Sequence, residues 1–297
     1  MTTMLEDPGA PIAIPSRPDE ASIARRERVR LLMRSPTFII GNVIAGIWVL
    51  CAIFGPLIAP HDAELPDVLN KLAGLSGEHI FGTDRLGRDV LSRVIVGART
   101  ILVIAPLATL LGTVLGTTIG LVTGYYRGFL DEAIMRVVDA VLAVPVIILA
   151  LLAVVALGPS HLTLILVIGF VFTPIIARTV RAAVLGEGQL AYVEAARLRN
   201  ERGPYVMFAE ILPNVMGPIV VEFTVRLGYA IFTVATLAFL GFGADPSTPD
   251  WGQDIYQNYT FISGGVWWAV LFPSLAIATL IIGINLIADA VAATFER

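Results

Sequence analysis

Six long apolar runs, separated by charged or turn-forming segments, dominate the pattern of the chain. They lie at 38–59, 100–124, 139–157, 162–180, 215–242 and 266–288. A helix needs about 20 mostly uncharged residues to cross the hydrocarbon of a bilayer, and a charge near its centre is costly, so each run is an expected transmembrane helix. The third and fourth come from one stretch, 140–177, without Asp, Glu, Lys or Arg. Gly158, Pro159 and Ser160 divide it, because they favour a turn and Pro159 opposes a continuous helix; a helical hairpin is expected there. One such run also fits a buried helix of a soluble protein, but six together do not.

Six spans put both termini on one side of the membrane. Residues 1–35 are polar, carry Pro8, Pro11, Pro15 and Pro18, and lack the apolar centre and small-residue cleavage site of a secretory signal. They are expected to be a flexible tail. Arg25, Arg26, Arg28, Arg30 and Arg34 stand just before the first run, where they hold that end in the cytoplasm. With this orientation fourteen basic residues face the cytoplasm and five, Lys71, Arg85, Arg88, Arg93 and Arg99, face outward. The expected organisation is a tail (1–35), a first span with an outer loop (36–99), and a five-helix core (100–297) whose longest cytoplasmic connection is 181–214.

Composition strengthens this picture. The 297 residues are 56% hydrophobic and 15% charged, more apolar surface than a soluble core of this size buries, so lipid must serve as solvent. Cys51 is the only cysteine, which excludes an intramolecular disulfide, and His61, His79 and His161 are scattered, so no metal site is expected. The net charge of −4 gives no support for nucleic-acid binding. No Gly-x-Ser-x-Gly or His-Glu-x-x-His occurs. Lys71, the only lysine, follows no glycine-rich loop, so the chain lacks a phosphate-cradling ATP site of its own.

Several finer features bear on packing. Gly112, Gly116, Gly120 and Gly124 recur every four residues and form a stripe on which another backbone can approach closely, from this chain or from another subunit. Pro145, Pro174 and Pro273 fall inside spans and free backbone carbonyls, which points to kinks. Glu222 and Arg226 are four apart in the inner half of the fifth span and can pair on one helix face, as a structural pair, at a pathway or at a subunit contact. In the 181–214 connection, residues 189–199 favour a helix, Gly203 can end it and Pro204 suits the first turn of the next; two short helices meeting at a bend are expected.

That connection reads Glu194-Ala195-Ala196-Arg197, then Gly203-Pro204, then Ile211-Leu212-Pro213-Asn214. It resembles the EAA loop of bacterial ATP-binding-cassette (ABC) importer permeases, which opens on Glu-Ala-Ala and closes on Leu-Pro nineteen residues after the glutamate. The family usually has glycine six residues after the glutamate, where this chain has Asn200, a residue that also tolerates left-handed backbone. The resemblance implies that Glu194, Ala195, Ala196, Arg197, Asn200, Gly203, Leu212 and Pro213 form a coupling elbow seated in a cytoplasmic ATPase.

A second, narrower resemblance lies outside. Phe81-Gly82-Thr83-Asp84-Arg85-Leu86-Gly87-Arg88-Asp89 is similar to the Gly-Thr-Asp-x-x-Gly-Arg-Asp signature of the second permease subunit of dipeptide, oligopeptide and nickel importers, the DppC/OppC type. Phe239-Leu240-Gly241-Phe242-Gly243, the segment 246–252, Trp267-Trp268 and Phe272-Pro273 agree with it, so the resemblance covers about residues 30–295. Physically, Gly82, Thr83, Asp84, Gly87, Arg88 and Asp89 suit a compact loop tied by charge-assisted hydrogen bonds. A second role, seating a substrate-binding protein, is open.

The resemblance implies an all-α, six-helix, MetI-like type I importer permease of the bacterial inner membrane, with both termini cytoplasmic. It further implies a homologous DppB/OppB-like permease partner, two ATPase subunits or domains that carry ATP and Mg, an extracytoplasmic substrate-binding protein, and uptake of short peptides. Nickel or another small solute is the alternative cargo. A secondary transporter is the alternative class, although no inverted repeat or set of midspan acids is evident, and a membrane-embedded enzyme comes third.

Overall fold

The computed structural model describes residues 30–245 and 247–295. The expectation of a flexible tail falls, for residues 1–29, outside them; residues 30–34 at its end are helical. Among the described residues the structure is helical throughout, apart from loops and an isolated bridge between Thr83 and Asp89.

Helix α1 (Pro36–Ile58) starts on Pro36 in its first turn, where a missing N–H costs nothing. It leaves Ile39, Ile47, Leu50 and Ile53 exposed as a face for lipid. A long loop leads to α2 (Val90–Tyr126), whose N-cap is Asp89, accepting a 2.8 Å hydrogen bond from Ser92 N–H. With 37 residues, about 55 Å, α2 far exceeds a bilayer core of about 30 Å. It begins ten residues before the expected span. Arg93 and Arg99 set that expectation, but they lie in an outer extension of the helix, where a charge is tolerated.

The next segment corrects the expected third span. Residues 139–157 are not one helix: α3 (Phe129–Leu142) and α4 (Val146–Leu157) meet at an angle of 88° across Ala143–Pro145. Pro145 supplies no N–H to continue α3 and becomes the N-cap of α4. Asp131 and Asp139 of α3 pair with Arg181 and Arg178. These pairs tie α3 to α5, while the 12 residues of α4 reach about 18 Å. Five helices are thus long enough to span, and six spans result when the bent pair counts as one.

The hairpin turn falls at 158–160, with Ser160 Oγ capping α5 (His161–Glu187) by accepting from Thr163 N–H. Helix α5 packs along the glycine stripe of α2. A Cβ placed on Gly116 would meet Ile176 Cβ at 2.7 Å, and one on Gly120 would meet Val180 Cβ at 2.7 Å. The stripe therefore serves contact within this chain. After α6 (Ala191–Leu198) the chain enters α7 (Gly203–Phe242), 40 residues that widen into a π-helical turn at Val206–Ile211 and, in the last turn Ala238–Phe242, kink at Gly241, whose φ of 88° is not helical. The expected pair of short helices is accordingly one short helix followed by the inner end of a span. Helix α8 (Trp251–Asn258) and a 3₁₀ turn (Tyr259–Gly264) precede α9 (Trp268–Phe295). The core gathers on α2, α5 and α7, through Ile104, Leu121, Ile168, Phe172, Ile176 and Ile231.

Candidate functional site

The inner elbow is built around α6. Val193 and Ala196 are fully buried and join Val206, Ile211 and Val215 of α7 in the core, so α6 is fastened by its small inward face. Glu194, Arg197 and Leu198 point outward; Leu198 is 83% exposed, and Ala195 lies at the edge between the two faces.

The bend after α6 sits at Asn200, with φ at 60°. Glu201 N–H donates to Ala196 O at 3.2 Å and Asn200 N–H to Arg197 O at 2.9 Å, the paired bonds that close a helix on a left-handed residue. Gly203 does not terminate α6 as expected; it opens α7. Its missing side chain serves close approach, because a Cβ there would lie 2.6 Å from the Tyr126 hydroxyl. Pro213 cannot donate to the carbonyl four residues back, and the helix widens over the turn just before it, ending at Ile211 beside the half-buried Leu212.

Tyr192 fixes α6 to both neighbouring spans. Its hydroxyl donates to Glu187 Oε2 at 2.7 Å, at the end of α5, and accepts from Asn214 Nδ2 at 3.2 Å, on α7. Burial, followed by the bond to Glu187, pushes its pKa up to about 12, so the proton stays in place. The Arg197 guanidinium lies 5.0 Å from the centre of the Tyr125 ring at the end of α2. Three spans therefore meet the elbow. Tyr192 escaped the sequence reading because nothing local marks a tyrosine as a bridge.

The outer signature is a buried knot. Asp84 Oδ1 accepts from the N–H groups of Leu86 and Arg88 at 2.8 and 2.9 Å, and Asp84 Oδ2 from Arg88 Nε at 2.7 Å. Arg88 also reaches Gln257 Oε1 at 2.9 Å, and Arg93 binds Asp254 at 2.6 Å, which ties the loop and the start of α2 to α8. Trp268 Nε1 donates to Thr83 O at 3.0 Å. Gly82 and Gly87 have φ of 71° and 84°; a Cβ on Gly87 would lie 1.7 Å from Asp67 O. Asp84, Arg88 and Asp89 are at most 3% exposed. These side chains are buried within the fold, as a compact loop tied by charge-assisted hydrogen bonds requires.

Glu222 and Arg226 pair at 2.6 Å in α7, with the Arg226 guanidinium 5.2 Å from the Tyr229 ring centre. Beside them a cleft of about 300 Å³ opens between α7 and α9, lined by Tyr229, Asn285 and Asp289 among apolar residues. Asp289 lies one residue past the expected end of the last span. Its signal in the sequence was an acid within an otherwise apolar run. The expectation that the histidines stay scattered is also corrected: His61 and His79 come to 4.8 Å between ring centres, next to Asp89. The loop fold brings them together, and their sequence spacing does not announce it.

Comparison with known proteins agrees with this geometry. Residues 116–297 match the model of the binding-protein-dependent transport system inner membrane component family, and residues 25–74 match the N-terminal TM domain of oligopeptide transport permease C. The chain is 37% identical over 264 residues to a dipeptide transport system permease protein DppC of Alkalihalophilus pseudofirmus, covering 89% of this chain and 86% of the relative. It is also 37% identical to the glutathione transport system permease protein GsiD of Escherichia coli, over 92% of this chain and 90% of the relative. Among solved structures, the MetNI methionine ABC transporter in an inward-facing conformation aligns with a TM-score of 0.56 at 20% identity, over 69% of this chain and 97% of that one. That likeness establishes a MetI-like fold. By family model, relatives and fold alike, this chain is a multi-pass permease subunit of the bacterial inner membrane and belongs to the family of binding-protein-dependent transport system inner membrane components.

Proposed function

We propose that this permease takes up short peptides, forming half of a translocation pathway with a second, homologous permease chain. Two cytoplasmic ATPase subunits or domains, which carry ATP and Mg, drive it, and an extracytoplasmic substrate-binding protein delivers the cargo. This chain is the non-catalytic partner. The relatives named for dipeptides and for glutathione, itself a tripeptide, support peptide as the cargo class.

The observation that carries the reading is α6: a short helix with Glu194, Arg197 and Leu198 facing outward, held by Tyr192 to the spans on either side. When the ATPases close on ATP, a force applied to that exposed face passes through α5 and α7 into the bundle. Glu222, Arg226 and Asp289 then line the inner part of the path or its subunit seam, because charges at this depth face protein or water rather than lipid.

The test is co-purification of the whole complex in mild detergent, with wild type and with Glu194→Ala plus Ala195→Asp. Wild type should retain its ATPases and hydrolyse ATP faster with a peptide-loaded binding protein. The variant should lose bound ATPase or that stimulation. Full retention of both in the variant refutes the docking role of α6.

A further inference from the structure

We propose that His61, His79 and Asp89 form a binding site for a zinc-class divalent cation, which pins the two ends of the outer connection between α1 and α2 to each other. The site stands on its own geometry and does not depend on the transport reading. One nitrogen from each histidine and one Asp89 oxygen lie within 4.8 Å of one another. His79 Nδ1 and Asp89 Oδ1 are 3.0 Å apart. With bonds of about 2.0–2.1 Å, a tetrahedral zinc places its ligand atoms about 3.3 Å from each other, so this pair already sits near the required separation. His61 is half-buried and is the member that swings in to close the remaining gap.

The chemistry of the set fits. Two imidazoles and a carboxylate are a recurrent three-ligand set for zinc, with a fourth position left to water. His61 Nδ1 is shielded from solvent and has no hydrogen-bond partner, a state that costs free energy unless something fills it. Supporting contacts fix the ligands from behind. Asp89 Oδ2 accepts from Ser92 N–H at 2.8 Å and Ser92 Oγ at 2.7 Å, leaving Oδ1 for the ion. The same Ser92 Oγ accepts from His61 N–H at 3.0 Å, and His79 N–H donates to Ser76 Oγ at 2.9 Å. One serine thus holds two of the three ligands in register, the arrangement that orients metal ligands in built sites.

Access and charge agree. An opening of about 460 Å³ runs alongside His61 and is rimmed by Asp62 and Glu64, which draw cations. Arg93, the next base along α2, aims its guanidinium elsewhere, at Asp254 and at the carbonyls of Ala63 and Thr248. The ion takes the place of the proton between His79 and Asp89, and the imidazole stays neutral by carrying its proton on Nε2 instead. Since His61 lies just past the Ala59 cap of α1, after Pro60, and Asp89 caps α2, the bound ion closes a loop that is otherwise joined by hydrogen bonds.

The experiment uses the purified untagged complex, dialysed against micromolar zinc and then zinc-free buffer, with metal read by mass spectrometry. Wild type should keep about one zinc per chain. His61→Gln and His79→Gln should fall to background, and His161→Gln, outside the cluster, should match wild type. A measurement without any variant stands beside it: wild type loaded with cobalt should show the visible absorption of a four-coordinate nitrogen and oxygen site. No retained zinc, zinc unaffected by both histidine changes, or no such cobalt spectrum overturns the proposal and leaves a hydrogen-bonded histidine–aspartate pair alone.

Discussion

At the scale of single residues, the outer knot shows how a charge can be purely architectural. Asp84 and Arg88 are each 2% exposed, and each satisfies the other. Removing one partner of a buried pair leaves the other charge without compensation. Arg88→Ala is therefore expected to cost about 3–5 kcal/mol of stability, read as a large fall in the thermal midpoint in detergent, while Arg85→Ala on the exposed side of the turn should change it little. Asp250 behaves differently. Burial pushes its carboxyl up from 3.8 to about 6, with its neighbour Asp254 adding to the rise and the cap bond to Gln253 opposing it. The folded state holds this proton more tightly than the unfolded chain does, so the contribution is fully present below pH 3.8 and is lost as the pH rises through about 6. Asp250→Asn keeps a good N-cap and should gain about 2–3 kcal/mol over wild type at pH 7.5. The gain should vanish near pH 3.5; an advantage that persists there means another cause.

At the scale of elements, the α2–α5 seam depends on missing side chains. Each glycine of the stripe meets a side chain or carbonyl of α5 closer than a Cβ allows. Gly116→Leu should cost at least about 1–3 kcal/mol through overpacking, whereas Gly46→Leu in α1, where a Cβ meets nothing within 4 Å, should be tolerated. Comparing folded yield and thermal midpoint of the two variants checks this. The stripe itself was legible in the sequence, because a period of four is a property of the chain. Its partner was not, since any helix with small or branched residues can lie there. The break at Ala143–Pro145 was half legible: Pro145 announced a kink, but neither the right angle nor the pairing of Asp131 and Asp139 with α5 has a local signal.

At the scale of the whole molecule, the elbow matters only through what it is tied to. Tyr192 joins α6 to α5 and α7 by two hydrogen bonds, and its raised pKa keeps that link protonated across the working range. Tyr192→Phe removes about 1 kcal/mol of hydrogen bonding per lost partner and little packing. The expected outcome in reconstituted vesicles is an assembled complex that hydrolyses ATP while transporting several-fold less per ATP. Unchanged coupling would show that α6 transmits through its apolar contacts, Val193 and Ala196, instead. The outer end is organised on the same principle, with α8 packed against α1, α2, α7 and α9. Trp251 donates to Val94 O at 2.8 Å and stacks edge-on with Trp48 at 4.8 Å.

The sequence by itself determined the membrane environment, the number of spans and the family resemblance, because burial in lipid requires long uncharged runs and short motifs are local by nature. It left the bend of the elbow between Gly203 and Asn200, and the structure puts the left-handed backbone at Asn200, a residue type that accepts it. Only the tertiary structure decided where the charges go. Arg93 and Arg99 read as the limit of a span, yet they lie inside a longer helix, and Arg93 is neutralised by Asp254, 161 residues away. His61, His79 and Asp89 meet for the same reason: a side chain's partner is chosen by the path of the whole backbone, which no local pattern encodes.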